Sequence, residues 1–230
     1  MSSKGIILLP VHNEEDSIDG VLTDIFRFVG LSLEAKHIEI VVVDSFCTDR
    51  SVEKIAKYPV TVLSAKQSGY WNALREGYQY ALAQNCHWLV QLDGDGQHPP
   101  HAIWRIQQGL QQADWVIASR HNTGSTQELS RIIGQQICQK YVQYKTHTTY
   151  TDISSGFWAV SRTGIEIFAN YPLQTADAAL RFFAWKHGLS FLEIPVAMNV
   201  RENGASMHAG WRSIVHLWKV YQDIQRLSEC

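Results

Sequence analysis

Five short apolar runs recur through the first half of the chain, at Gly5–Leu9, Ile38–Val43, Val60–Ser64, Trp88–Leu92 and Trp115–Ala118, each bounded by polar or turn residues. Between them, apolar residues return at helical spacing in Glu15–Phe28, Asp49–Lys57, Gly69–Gln84 and Pro100–Gln112. Farther on, a helical pattern over Asp177–Trp185 leads to another strand pattern at Ser190–Ile194. Such alternation restricts the chain to an α/β class: a mostly parallel central sheet flanked by helices, with ligands bound beyond the carboxyl ends of the strands. Asn13-Glu14, Asp44 and Asp93 to Asp95 all fall at such ends, so three polar clusters far apart in sequence are expected to share one rim.

The most chemically specific stretch is Val90-Gln91-Leu92-Asp93-Gly94-Asp95-Gly96-Gln97-His98-Pro99-Pro100. An apolar run ends there in carboxylates and an amide at alternating positions, and Asp93, Asp95 and Gln97 converge if the backbone stays extended through the glycines. An all-oxygen cluster suits a hard cation such as Mg²⁺ or Mn²⁺, which shares its remaining positions with phosphates. The plain alternative is an Asp/Gly turn that closes a buried strand. Gly69, Ala73, Gly77 and Ala81, four residues apart, read as a small-residue helix face that lets the helix approach the sheet closely.

Composition excludes several other classes. With 230 residues, 45% of them apolar, the chain has enough for a substantial core; we expect a main domain over 1–207 and a C-terminal helix over 208–230. A formal net charge of −2 and the lack of any basic run argue against a nucleic-acid partner. Cys47, Cys86, Cys138 and Cys230 have no C-x-x-C spacing and read as reduced thiols of a cytoplasmic protein. No stretch approaches the length of a membrane span, and the first apolar run is too short for a signal-peptide core.

These motifs, in this order, carry a resemblance. Pro10-Val11-His12-Asn13-Glu14-Glu15, Val43-Asp44-Ser45-Phe46-Cys47-Thr48-Asp49, the Gly69/Ala73 helix, Asp93 to Pro100, Ser119-Arg120 and Asp152-Ile153-Ser154-Ser155-Gly156-Phe157 resemble family 2 glycosyltransferases, and within them the dolichol-phosphate mannose synthase-like enzymes. The resemblance covers roughly residues 5–207. It implies a GT-A-type fold and a metal-dependent, inverting transfer of a sugar from a nucleoside-diphosphate sugar of UDP or GDP type. It places Pro10, His12, Glu14 and Asp44 near the base, Asp93 near the ribose, and the catalytic metal on Asp95 and Gln97. Arg120 and Arg131 match arginines expected to touch phosphate oxygens, and Asp152 and the Ser155-Gly156-Phe157 segment match the sugar and acceptor side. Arg201 falls in the late R-x-x-G-x-S pattern, and Asp177 stands where relatives often place an acidic residue.

Three departures bear on the acceptor and on the nucleotide. Trp158 follows Ser155-Gly156-Phe157 where an arginine is usual, Met207 replaces a lysine, and Ser45-Phe46-Cys47 replaces the D-G-S of the usual V-D-D-G-S. The acceptor is either a polyprenyl-type lipid phosphate, already ionised near neutral pH, or a hydroxyl that requires a base, for which Asp177 is the candidate. A non-catalytic nucleotide-sugar-binding protein is the reading of a different class. Trp211, Ile214, Val215, Trp218 and Tyr221, with Leu217, Ile224 and Leu227, form an apolar stripe opposite Arg212, His216, Lys219 and Arg226. Such a helix either docks on the domain or lies peripherally on the inner face of a membrane.

Overall fold

The structure is a computed structural model that describes residues 4–30, 37–120, 129–173, 175, 178–199 and 212–229. Strands β1 (Gly5–Val11), β2 (Ile38–Asp44), β3 (Thr61–Ser64), β4 (Trp88–Gln91), β5 (Trp115–Ser119), β6 (Trp158–Ser161) and β7 (Phe191–Pro195) form one sheet in the order β3-β2-β1-β4-β6-β5-β7. The helices are α1 (Ile18–Val29), α2 (Ser51–Ile55), α3 (Tyr70–Ala83), α4 (Ile103–Gly109), α5 (Leu129–Thr146), α6 (Arg162–Ala169), α7 (Ala178–Lys186) and α8 (Arg212–Glu229). All strand pairings are parallel except those of β6, which runs antiparallel to both β4 and β5.

Every strand expected from the apolar runs is present, and its residues divide between two faces. Ile6 and Leu8 of β1 enter one apolar cluster with Trp71, Tyr78, Trp115, Trp158 and Phe168; Ile7, Leu9 and Val11 enter the other with α1 and α4 residues such as Leu22 and Ile106. A continuous apolar run is what a strand covered on both faces requires. On the first face the aromatic rings meet edge-on, Trp115 to Trp158 at 5.8 Å and Trp71 to Tyr171 at 4.8 Å between centroids, the arrangement that ring quadrupoles favour.

The small-residue face of α3 is a packing surface. A Cβ built on Gly77 would lie 2.3 Å from Leu8 Cδ1, so only glycine admits the strand side chain there. Gly69 has a different task. It caps the helix at φ +120, a conformation that side chains rarely adopt.

The patterns left three elements unassigned: α5, α6 and β6. The α5 sequence interrupts its apolar positions with Gln135, Gln136, Gln139 and Gln143, and the four-residue β6 is too short to show a period. The expected Pro100–Gln112 helix is divided into a 3₁₀ turn over Pro100–Ala102 and α4, which stops at Gly109. The β6 direction matters most: an antiparallel strand begins on the rim where its parallel neighbours end, so residues 151–157 are delivered to the carboxyl ends of β4 and β5.

The C-terminal helix packs on the domain along one side. Val220, Asp223, Ile224 and Leu227 form its buried side against α5 and α7, with Asp223 accepting from Thr175 Oγ1 at 2.7 Å and Lys186 Nζ donating to the Leu227 carbonyl at 2.6 Å. Trp218 and Tyr221, members of the apolar stripe, lie outside that buried side at 61% and 42% exposure. Trp211 lies outside the described residues, as do the side chains of Ile214, Val215, His216 and Leu217.

Candidate active site

The first loop pair is built on β1 and β2. Pro10 is buried in β1 opposite Val43, and Asp44 closes β2 opposite Val11. Beyond them the loops are cross-linked: Ser45 N donates to Val11 O at 2.8 Å, Thr48 N to Asn13 Oδ1 at 2.8 Å, and Glu14 N to Ser51 Oγ at 2.8 Å. The His12 ring lies 2.6 Å from Ser45 O through Nδ1; a carbonyl only accepts, so Nδ1 carries the proton and Nε2 is the ring's acceptor when neutral. Asp44 Oδ1 accepts from Cys47 N at 2.9 Å. Between those two residues Phe46 stands at φ +62, a left-handed backbone that costs a non-glycine residue about 1–2 kcal/mol.

The loop after β4 carries the carboxylates. Asp95 Oδ1 accepts from Gln97 N at 3.0 Å, and Gly96 turns the chain at φ +79. Asn199 secures the turn from outside, its N donating to Gln97 O at 2.9 Å and its Nδ2 to Gly96 O at 3.0 Å. Ser17 Oγ donates both to Gly94 O at 2.8 Å and to Glu14 Oε2 at 3.2 Å, which ties this turn to the β1 loop. Asp93 N donates to His98 Nδ1 at 2.9 Å. That ring is buried, stacks 5.1 Å from Phe157, and its pKa is pushed down to about 4 by burial, so it stays neutral and holds the turn as an acceptor.

Asp93 is oriented by a chain of hydrogen bonds that the motifs did not reveal. Tyr70 OH donates to Asp93 Oδ1 at 2.9 Å and accepts from Gln91 Nε2 at 2.9 Å; Gln91 also donates to Gly156 O at 3.0 Å. Behind it, Trp158 Nε1 donates to Tyr78 OH at 2.8 Å, and Tyr78 OH reaches Gln91 Oε1 at 3.4 Å. The Tyr70 hydroxyl is enclosed between Asp93 and Gln91 although the residue is 36% exposed; burial and the adjacent carboxylate raise its pKa well above the ordinary value, so it remains a donor. Gly156 permits a close approach: a Cβ there would lie 2.9 Å from Tyr70 OH and 3.0 Å from Asp93 Oδ2, and those side-chain ends would have to shift. A glutamine at the end of a buried strand was the legible signal, since a buried amide must find partners.

Across the rim, Arg120 and Asp152 form a bidentate pair, Nε to Oδ2 and Nη2 to Oδ1 both at 2.7 Å. Burial works against both charges, yet each overrides it for the other: the Asp152 pKa is lowered and the Arg120 pKa raised, with Asp93 adding to the hold on Arg120. The loop beneath is fixed by Glu193 of β7, which accepts from Thr151 N and Asp152 N, and by Arg181 of α7, whose Nη2 reaches Asp152 O at 3.4 Å and Ser155 O at 3.3 Å. The Arg181 guanidinium lies 4.3 Å over the Trp115 ring, fully buried. The Trp158 side chain, only 1% exposed, belongs to the core, so this position presents nothing to an acceptor.

The rim thus unites Pro10, His12, Glu14, Asp44, Asp93, Asp95, Gln97, Arg120 and Asp152 at the carboxyl ends of neighbouring strands. Arg131 falls in the first turn of α5 with its side chain outside the described set, and Asp177 and Arg201 lie outside the described residues. Among the described residues no group of three His, Cys, Asp or Glu could cage a metal. The turn at residues 94–96 also departs from the extended backbone on which the expected convergence of Asp93, Asp95 and Gln97 rests; a cation of the Mg²⁺ type takes only one or two carboxylates and relies on substrate phosphates for the rest, a chemistry that the Asp95 carboxylate offers.

The mixed sheet and its carboxylate-bearing rim define a GT-A-type α/β protein, a fold shared with glucosyl-3-phosphoglycerate synthase from Mycobacterium tuberculosis in complex with Mn²⁺, UDP-glucose and phosphoglyceric acid (TM-score 0.75, 16% identity, 97% of this chain and 80% of that one). The sequence profile of glycosyl transferase family 2 matches residues 6–168, and the chain belongs to that family. Relatives include a dolichol-phosphate mannosyltransferase of Pyrococcus furiosus, 25% identical over 94% of this chain, and a polyprenol monophosphomannose synthase of Mycolicibacterium smegmatis, 22% identical over 91%. The chain spans 62% of the first relative's length and 82% of the second's.

Proposed function

We propose that this chain transfers a sugar, with inversion, from a nucleoside-diphosphate sugar to the phosphate of a polyprenyl-type lipid. The observation that carries this reading is the Asp93-to-Gln97 turn facing the Arg120–Asp152 pair across a single rim. Relatives named for dolichol phosphate and polyprenol support the acceptor class, and the Mn²⁺ and UDP-glucose of the structural neighbour support the donor class.

In this reading the acceptor phosphate oxygen attacks the anomeric carbon from the face opposite the nucleotide. The bond from that carbon to the β-phosphate oxygen breaks, and its electron pair leaves with the nucleoside diphosphate. Asp95 and Gln97 are the residues that would hold Mg²⁺ or Mn²⁺, and such a cation would supply neutralisation of the charge that develops on the leaving nucleoside diphosphate. The His12 and Asp44 loops hold the base end, and Asp93, locked by Tyr70, holds the ribose. Arg120, charged and aimed by Asp152, faces phosphate oxygens. An ionised phosphate needs no base, so Asp177 is dispensable for proton transfer in this reaction, whereas a hydroxyl acceptor would require it.

We assign the contact with a lipid surface to α5 and α8. Trp218 stacks on Tyr221 at 5.5 Å, Tyr221 meets Tyr141 at 5.5 Å, and Tyr144 and Ile137 continue the exposed patch along α5. Lys140, Lys219 and Arg226 are exposed on the same two helices, and α5 has no acidic residue. Tryptophan and tyrosine beside basic residues suit an anionic headgroup layer. Among the described residues no helix is long and apolar enough to cross a membrane.

The test is a transfer assay with Mn²⁺, candidate UDP- and GDP-sugars and either a polyprenyl phosphate or a hydroxyl acceptor. Asp95→Ala is expected to abolish transfer, a loss of several kcal/mol of transition-state stabilisation, while leaving the fold intact. Near wild-type turnover by Asp95→Ala sinks the metal assignment. Activity only with a hydroxyl acceptor, lost about 10²–10⁴-fold in Asp177→Asn, would replace the lipid-phosphate reading. Tight donor binding without turnover on any acceptor would favour a binding protein.

A further inference from the structure

Phe46 has no role in anything described so far. It takes the place of the family's glycine yet keeps a glycine-like backbone, φ +62, and its side chain is 51% exposed and part of neither apolar cluster. Backbone strain and an exposed ring both disfavour the folded state, and the fold itself gains no core packing from them. The conformation is imposed from both sides. Ser45 N is held by Val11 O, and Cys47 N by Asp44 Oδ1, so the loop cannot relax without breaking its stitches to the rim.

The position of Phe46 in the chain indicates its use. Phe46 follows directly on Ser45, whose carbonyl fixes the His12 ring, and lies two residues beyond Asp44. In the sheet order β2 is two strands from β4, which sets this loop about 10 Å from the carboxylate turn, on the flank away from Arg120 and Asp152. A ligand whose diphosphate meets Asp95 and Gln97 and whose sugar points toward Arg120 has its remaining end here.

Resting on the nucleotide-sugar reading above, we propose that Phe46 is the nucleobase platform: its ring stacks on the planar base of the donor and helps set how strongly the donor is held. A phenyl face offers no hydrogen-bond pattern, so stacking on it tolerates either base type, and discrimination falls to the polar groups beside it, His12 and Asp44.

The experiment uses the full chain with Mn²⁺ and measures the affinity of UDP, GDP and inorganic pyrophosphate by calorimetry, alongside the melting temperature without ligand. Phe46→Gly relieves the backbone and is expected to melt no lower than wild type, yet to bind the preferred nucleoside diphosphate about tenfold or more weakly. Pyrophosphate, which has no base, is expected to bind both proteins equally. Phe46→Tyr keeps a stacking face and is expected to retain nucleotide affinity, whereas Phe46→Leu, apolar but without a π face, is expected to lose it. Unchanged nucleotide binding by Phe46→Gly, or equal losses for nucleotide and pyrophosphate, overturns the proposal while the wild-type result leaves the donor reading standing. If wild type binds neither nucleoside diphosphate, the donor reading itself fails and this inference fails with it.

Discussion

At the scale of single residues the site is a set of side chains, each held by another. Arg120 and Asp152 are the clearest case, with exposures of 25% and 10% for their side chains. Asp152→Asn leaves the guanidinium without its counter-charge and is expected to cost about 2 kcal/mol, less than a fully buried pair because Arg120 still meets water. The pH dependence follows from the lowered Asp152 pKa. Its stabilisation is complete above the ordinary carboxylate value of 3.8 and is lost only as pH falls through the still lower folded value. Denaturant titrations should therefore show a constant gap between wild type and Asp152→Asn from pH 7 to about 5, closing below about pH 4. A gap that closes already between pH 6 and 5 would contradict the pairing. Tyr70 makes a separate case. Removing only its hydroxyl, Tyr70→Phe, takes one hydrogen bond from Asp93 Oδ1 and one from Gln91 Nε2, so donor KM is expected to rise several-fold with kcat nearly kept, an effect on ground-state binding. An unaltered KM would remove Tyr70 from the donor site.

At the scale of elements, α8 shows how a helix can be docked and still present a surface. One side is sealed by Val220, Ile224 and Leu227 and pinned by the Thr175–Asp223 and Lys186–Leu227 hydrogen bonds; the tryptophan and tyrosine are left on the other. Replacing Trp218 and Tyr221 together by alanine should leave the melting temperature within a few degrees, because neither is in the core. The same variant is expected to reduce co-sedimentation with vesicles containing anionic lipid, and raised salt should do likewise through Lys219 and Arg226. Wild type that stays in the supernatant at low salt would end the membrane assignment. The contrast between α3 and α8 is instructive. Gly77 and Ala73 read as a packing face because charged and tyrosine residues around them argue against a lipid-embedded dimer, and Gly77 packs on Leu8, whereas the aromatic stripe of α8 suited both burial and exposure.

At the scale of the whole molecule, the parallel strands were legible because each is a continuous apolar run closed by polar residues, and the gathering of Asn13-Glu14, Asp44 and Asp93 to Asp95 on one rim because these residues lie at strand ends. Three features were not. Strand β6 is short, and its direction is set by pairing with Gln91 and Ile117 rather than by its own residues. The chain Trp158–Tyr78–Gln91–Tyr70–Asp93 spans segments up to 80 residues apart, so no local pattern contains it. Arg181 is a single arginine within a helical pattern, and only its position over Trp115 reveals a buried charge.

The placement of β6 between β4 and β5 also governs the order in which the protein can be made. During synthesis, β1 to β4 and their helices emerge first and can pair in register while the rest of the chain is still absent. Until residues 158–161 arrive, the hydrogen-bonding groups along one side of β4 have no strand to meet, and Leu89 has no neighbour on that side. A nascent chain paused at this stage is a sheet with a raw apolar edge, the form most inclined to pair with a second copy of itself. The strand that brings Gly156 to the rim is thus also the one that closes the window for aggregation.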